Sequence, residues 1–82
     1  MDINEIKEII NKNEGTEEAL SLSDLLKLKK AANVEVCINR ESGEYYYKVN
    51  LDNLVNKEFN INILKKNKWV LSPDEKNILL YI

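Results

Sequence analysis

The chain has 82 residues and a formal net charge of −2, which predicts one small domain spanning residues 1–82. It contains no histidine and a single cysteine, Cys37. This inventory argues against zinc sites, an internal disulfide and catalysis by Cys–His or Ser–His–Asp groups. No apolar run approaches the roughly 18–20 residues of a membrane span, and the acidic start is unlike a signal peptide. We therefore expect a cytoplasmic protein, because a lone cysteine is typical of a reducing compartment.

The first stretch predicts a helix over residues 3–13. Asp2 and Glu5 have the spacing of a capping box, and Gly15 is placed to end the helix. The apolar side chains that share one helical face are Ile3, Ile6, Ile9 and Ile10.

A second helix is predicted before Asn33, with two alternative starts. Thr16 can cap it, or Ser21 or Ser23 can do so and leave 16–21 as a loop. The expected apolar stripe consists of Leu22, Leu25, Leu26 and Ala32, flanked by Leu28 and Ala31.

Residues 34–50 alternate between apolar and polar side chains, which predicts a β-hairpin with its tip at residues 40–43. Gly43 is placed to adopt a positive φ. The register that puts all the apolar residues on one face pairs Val34 with Val49, Val36 with Tyr47, Ile38 with Tyr45, Cys37 with Tyr46, and Glu35 with Lys48. We expect helices or further strands from the rest of the chain to pack against this apolar face, since a lone hairpin is marginally stable.

Beyond the hairpin the pattern is weaker. Two short helices over about 51–58 and 61–67 are preferred, with Asn50 as the first cap. The alternative is a strand over 59–63, where apolar residues alternate with asparagines.

The last segment also has two interpretations. Ser72, Pro73 and Glu75 have the spacing of a capped helix start, which favours a terminal helix over 73–82. The competing prediction is a hairpin that pairs 69–71 with 77–82.

These elements predict an α+β fold. Two N-terminal helices precede a central antiparallel hairpin, and short C-terminal helices pack on one face of the sheet. The alternative is a C-terminal hairpin acting as a wing, which would make the protein winged-helix-like.

Charge is distributed unevenly along the chain. Residues 1–24 hold seven acids and two lysines, a net −5, so the remainder carries +3. The candidate acidic patch for a basic partner comprises Glu5, Glu8, Glu14, Glu17 and Glu18. The alternative interpretation is an ordinary solvated helix face whose acids favour the helix N-terminus.

The hairpin supplies a second candidate protein-binding surface. Arg40 and Glu41 lie at its tip, and Tyr46 lies on the face that points away from the apolar residues. Arginine and tyrosine are frequent among the residues that dominate interfaces. An exposed hairpin edge also predicts a possible homo-oligomer.

A cluster of lysines surrounds Trp69 near the C-terminus. If residues 61–82 form a helix and wing, the lysines predicted to contact DNA phosphates are Lys65, Lys66, Lys68 and Lys76. The alternative is ordinary surface lysines around a core tryptophan.

No phosphate loop or catalytic constellation is present, so we predict a non-enzymatic protein without a cofactor. The leading hypothesis is a small intracellular interaction module that regulates or inhibits a protein partner. The bias toward lysine and asparagine over arginine is typical of AT-rich genomes and suggests a phage or other mobile element. In general build the chain is similar to the small acidic anti-defence proteins of phages. The second hypothesis is a winged-helix-like DNA-binding accessory protein.

Overall fold

A computed structural model describes residues 2–12, 20–55 and 62–82. The fold is α+β, as predicted, with helices packed against a four-stranded antiparallel sheet. The elements in chain order are α1 (Ile3–Asn11), α2 (Leu22–Ala31), β1 (Val34–Ile38), β2 (Tyr45–Asn50), α3 (Leu51–Val55), α4 (Asn62–Lys66), β3 (Val70–Leu71) and β4 (Asn77–Tyr81).

Helix α1 begins where the sequence indicated. The Asp2 carboxylate accepts a hydrogen bond from the Glu5 backbone N–H at 2.9 Å, which satisfies one of the free donors of the first turn. Ile6 and Ile10 are buried in the core. Residue 13, the predicted end of this helix, lies outside the described residues.

Helix α2 is capped by Ser21, whose hydroxyl accepts from the Asp24 N–H at 3.1 Å. The alternative cap Thr16 lies outside the described residues. The predicted apolar stripe is wrong at Leu22 and Leu26, which are 71% and 51% exposed, whereas its member Ala32 is buried.

The buried side of α2 consists of Asp24, Leu28 and Ala31. The Asp24 carboxylate lies 3.5 Å from the ammonium of Lys66 on α4. Only the three-dimensional arrangement of α2 and α4 brings this ion pair together, so it was not visible in the helical pattern.

The β1–β2 register is confirmed at all five predicted pairs, from Val34–Val49 to Ile38–Tyr45. The Asn39 N–H donates to the Glu44 carbonyl at 2.7 Å and closes the loop. Gly43 has the predicted positive φ, at 75°. Glu35 and Lys48 form the predicted cross-strand pair at 3.4 Å, and the Glu35 hydrogen bond raises the pKa of Lys48.

The two short C-terminal helices, α3 and α4, are present. The Asn50 side chain caps α3 by accepting from the Asp52 N–H at 2.9 Å. The alternative strand over 59–63 is wrong at residues 62 and 63, which lie in α4, and its other residues are outside the described part.

The preferred terminal helix over 73–82 is wrong, because Asn77–Tyr81 forms strand β4. The polar groups that resembled a helix cap instead close a turn. The Ser72 hydroxyl donates to Asp74 at 2.5 Å and accepts from the Asn77 N–H at 3.0 Å. Glu75 has φ of 58°, which a right-handed helix cannot contain.

The sheet order is β1-β2-β4-β3, so β4 fills the place between β2 and β3. Burial alternates along β4, with Ile78 and Leu80 buried. The core beneath this sheet is built around Trp69, which is 2% exposed. Its other large, fully buried side chains are Ile6, Leu28, Val49, Leu51, Leu54, Ile63, Leu64 and Ile78.

Candidate protein-binding surface

One end of the sheet carries exposed apolar side chains on the same face as the core. We call this group the sheet end, and it consists of Val36, Ile38, Tyr45 and Ile82. Their exposed fractions are 59%, 46%, 55% and 67%. The strand register places them on the face that buries Val49 and Ile78.

The apolar face of the sheet is buried toward one end and exposed toward the other. Helix α3 starts directly after β2, at the end of the sheet where Val34 pairs with Val49. Ile38 lies four residues from Val34, which is about 13 Å along the strand. Val49 and Ile78 are buried near the first end, whereas Ile38 at the other end is exposed. The expectation that the apolar face of the hairpin is covered is therefore wrong at Val36, Ile38 and Tyr45.

Arg40 and Glu41 are exposed in the loop that joins Ile38 to Tyr45. Asn39 shapes this loop through its side-chain oxygen, which accepts from the Glu41 N–H at 3.0 Å. Two of the predicted partner-binding residues therefore adjoin the exposed apolar face.

Tyr46, the third predicted residue of the hairpin surface, lies on the opposite face of the sheet. Its ring packs against that of Tyr81, with the centroids 5.4 Å apart and the planes tilted by 41°. Tyr46 is half-buried, so it is less accessible than the residues of the sheet end.

The predicted acidic patch can be placed only in part. Glu5 and Glu8 are exposed on α1. Glu8 pairs with Lys12 at 2.7 Å, and this hydrogen bond lowers the pKa of Glu8. The other three members, Glu14, Glu17 and Glu18, lie outside the described residues.

The predicted basic residues Lys65, Lys66, Lys68 and Lys76 are all exposed. Lys66 forms an ion pair with Asp24 of α2. Trp69, which they flank, is buried in the core rather than available for recognition.

The order of the elements around these lysines is the order that the winged-helix alternative expects. Strand β2 leads into α3 and α4, and the β3–β4 hairpin follows with β4 next to β2. Helix α1 contacts both α3 and α4. The order of a helix pair followed by a hairpin is that of a winged helix, with α2 and β1 added before it.

The turn at the position of the wing is short and carries two acids beside Lys76. Asp74 accepts hydrogen bonds from the Ser72 hydroxyl and the Lys76 N–H, and both lower its pKa. Glu75 lies 3.7 Å from Lys7 of α1. The Lys76 carbonyl accepts from the Leu51 N–H at 2.9 Å. The turn thus contacts α1 through an ion pair and α3 through a backbone hydrogen bond, and it does not project as a basic wing.

The exposed side of α2 carries a shallow depression. It is lined by Leu22, Ser23, Leu26, Lys27 and Lys30. Its two leucines are exposed apolar residues, so this surface serves as a comparison for the sheet end.

Sequence reasoning placed three members of the sheet end on the correct face of the hairpin but expected them to be buried. Alternation identifies the apolar face but carries no signal for how much of it is covered. Ile82 was not predicted, because its segment was assigned to a helix.

Among the residues of the three described ranges, no group of three potential metal ligands lies together. No helix in these ranges is long and apolar enough to cross a membrane. Comparisons with protein-family models, with curated proteins and with solved structures gave no match.

Proposed function

We propose that this chain is a non-enzymatic module that regulates or inhibits a protein partner and binds it through the sheet end. The observation that supports this proposal is the contiguous exposure of Val36, Ile38, Tyr45 and Ile82 on one sheet face. Singly exposed apolar side chains are common, but contiguous apolar patches usually mark interaction surfaces.

The free energy that burial of the sheet end contributes to partner binding can be bounded. Burying a large apolar side chain completely is worth about 1.5–3 kcal/mol. Because the four residues are roughly half exposed, each offers about 1 kcal/mol on docking, or about 4 kcal/mol together. Association itself costs at least that much, so the partner also needs polar contacts. Arg40 and Glu41, next to the apolar face, are the candidates for these contacts.

The test compares two double variants with equal charge changes. Tyr45→Lys with Ile82→Lys alters the sheet end, and Leu22→Lys with Leu26→Lys alters α2. The exposed fractions are 55% and 67% in the first pair and 71% and 51% in the second. A partner captured from the source cells by the wild-type chain is identified, purified and titrated against all three proteins.

Losing about 2 kcal/mol of apolar burial predicts an affinity loss of about 30-fold for the sheet-end variant. The α2 variant should stay within about twofold of wild type. Equal loss in both variants, or none in the sheet-end variant, would contradict the proposal. Circular dichroism of each variant tests whether the fold is retained.

The amino-acid composition supports a cytoplasmic location and a phage or mobile-element origin. Lysine and asparagine are abundant while Arg40 is the single arginine, which is typical of AT-rich bacteria and their phages. Cys37 is the only cysteine, in keeping with a cytoplasmic location. A phage or mobile-element regulator fits this composition.

A winged-helix-like DNA-binding accessory protein is the second candidate. It is supported by the order of β2, α3, α4 and the β3–β4 hairpin, with exposed lysines at the end of α4. The acids of the turn and the net charge of −2 weigh against it, since DNA binding depends mainly on phosphate neutralisation.

Fluorescence anisotropy of a random DNA duplex at two salt concentrations tests this candidate. DNA binding predicts an affinity that falls steeply with salt and weakens in Lys65→Gln with Lys76→Gln. Lys12→Gln with Lys29→Gln removes the same charge elsewhere and serves as the control. Absence of binding at low salt would eliminate this candidate.

A further inference from the structure

Strand β1 forms one edge of the sheet, and β3 forms the other. The β3 edge has only two residues, and such shortness limits pairing with another chain. Strand β1 has five residues, VEVCI. It contains no lysine or proline, the residues that most often block an edge. Among the described residues, no strand pairs with the outer edge of β1.

The hydrogen-bond pattern shows which β1 residues face that open edge. Asn39 donates to the Glu44 carbonyl at 2.7 Å, so this pair is hydrogen-bonded. Hydrogen-bonded pairs alternate along an antiparallel ladder. Cys37 and Glu35 therefore bond to β2, while the backbone N–H and C=O groups of Val34, Val36 and Ile38 point outward. In agreement, Tyr45 opposite Ile38 accepts from Ile82 on its other side.

We propose that β1 pairs antiparallel with β1 of a second copy, about a two-fold axis at Val36. Val36 then lies opposite Val36 of the second copy, and Val34 lies opposite Ile38. All outward backbone groups meet complementary groups, and the apolar side chains stay on one face. This inference rests on the proposed function in treating the sheet end as a protein-binding surface, and it names a partner for its outer half.

The two registers displaced by two residues from this one are less favourable. Sliding by two residues in one direction places Glu35 opposite Glu35 of the second copy, which is unfavourable. Sliding in the other direction shortens the pairing and brings the two Cys37 residues together. In the proposed register Glu35 lies opposite Cys37 instead.

The ends of the interface are also complementary in charge. The exposed hairpin tip follows β1 and carries Arg40, Glu41 and Glu44, a net charge of −1. The last turn of α2 precedes β1 and carries Lys29 and Lys30. Antiparallel pairing brings the tip of each copy level with the α2 end of the other.

Pairing at β1 places Val36 and Ile38, which are 59% and 46% exposed, beside the apolar side chains of the second copy on the same sheet face. Tyr45 and Ile82 lie farther from the edge, in or next to the inner strands β2 and β4. The pair of copies therefore presents two sets of these residues on one continuous sheet face.

Sedimentation velocity over a wide range of protein concentration tests the pairing. The wild type should shift from monomer to dimer mass as concentration rises. Val36→Lys, which places two like charges across the axis, should remain monomeric. Val70→Lys makes the same substitution on the other edge, where Val70 is 46% exposed, and should dimerise as wild type does. A monomeric wild type, or a Val36→Lys variant that dimerises equally, would overturn the proposal.

The register has its own test. Glu35→Cys lies opposite Cys37 of the second copy in a non-hydrogen-bonded pair, with Cα atoms about 4.5 Å apart. This distance suits a disulfide, so mild oxidation should give a covalent dimer with this linkage. Glu35→Cys combined with Cys37→Ser removes the partner sulfur and should not cross-link in this way. Absence of the linkage in the first variant would overturn the register.

Failure of this inference is separable from failure of the proposed function. If the wild type is monomeric but Tyr45→Lys with Ile82→Lys still loses its captured partner, only the second copy is rejected. If the wild type dimerises and no partner depends on Tyr45 and Ile82, only the proposed function is rejected.

Discussion

Replacing Trp69 with alanine is expected to remove a large part of the stability of the domain. The indole is 2% exposed and is the largest fully buried side chain among the described residues. It lies between α4 and β3, where it contributes to the core that supports the sheet. The substitution therefore tests the packing beneath the proposed binding surface.

The magnitude follows from buried area. A buried tryptophan removes about 200–250 Å² from water, worth about 5–6 kcal/mol at about 25 cal/mol per Å². Alanine keeps part of this, and measured losses for such truncations are about 3–5 kcal/mol. A domain of this length has a total stability of about 4–12 kcal/mol, so Trp69→Ala is expected to unfold at low denaturant concentration.

Trp69→Phe provides a graded comparison. No described residue accepts a hydrogen bond from the buried indole Nε1–H, and a buried donor without a partner costs about 1–3 kcal/mol. Phenylalanine removes this donor while leaving a smaller cavity. We therefore expect a loss of about 1–2 kcal/mol, well below that of alanine.

Urea unfolding followed by far-ultraviolet circular dichroism measures both variants, because Trp69 is the only tryptophan and fluorescence is lost with it. A Trp69→Ala variant within about 1 kcal/mol of wild type would refute the packing argument. It would also return Trp69 to the candidates for recognition.

Three further predictions concern α2 and the turn before β4. Leu28→Ala should cost about 2–5 kcal/mol and Leu26→Ala less than about 0.5 kcal/mol in urea unfolding, and equal costs would contradict the orientation of α2. The Ser72 and Lys76 hydrogen bonds lower the pKa of Asp74, so the stability it contributes is present above its ordinary pKa of about 3.9 and is lost as pH falls below that value. Asp74→Asn should therefore be less stable than wild type at neutral pH and match it more closely in acid, and a constant difference across pH would contradict this. Glu75→Gly should raise the melting temperature, because glycine adopts the observed φ of 58° without strain, and a lowered value would show that the Lys7 ion pair outweighs that strain.

Local chemistry was sufficient to predict much of the N-terminal half. Alternation over residues 34–50, together with the short loop, defined the hairpin register. The side-chain caps at Asp2 and Asn50 act as the sequence indicated. Each of these features depends on residues that are close in sequence, which is why a single sequence was informative.

The predictions for the β4 segment and for the buried side of α2 were wrong because contacts between residues distant in sequence decide between locally similar structures. Ser72 and Asp74 can satisfy backbone N–H groups in either a helix or a turn, and local hydrogen bonding does not separate the two. Pairing of β4 with both β2 and β3 favours the strand. In α2, leucines occur around more than one side of the helix. Burial of Leu28 and contact between Asp24 and Lys66 determine which side packs inward.

The exposure of the sheet end could not be predicted, because alternation identifies the apolar face of a sheet but not how far its helical cover extends. That exposure is also the strongest argument for a protein partner. Polar residues at Val36, Ile38, Tyr45 and Ile82 would cost the monomer little, since these side chains are about half exposed. An apolar face next to a strand edge without lysine or proline favours aggregation. A chain that retains both features without a blocking lysine or proline is best explained by a second protein surface that covers them. The DNA-binding alternative is the weaker one because Asp74 and Glu75 lie in the turn before β4. A winged helix needs positive charge at that position to neutralise DNA phosphates.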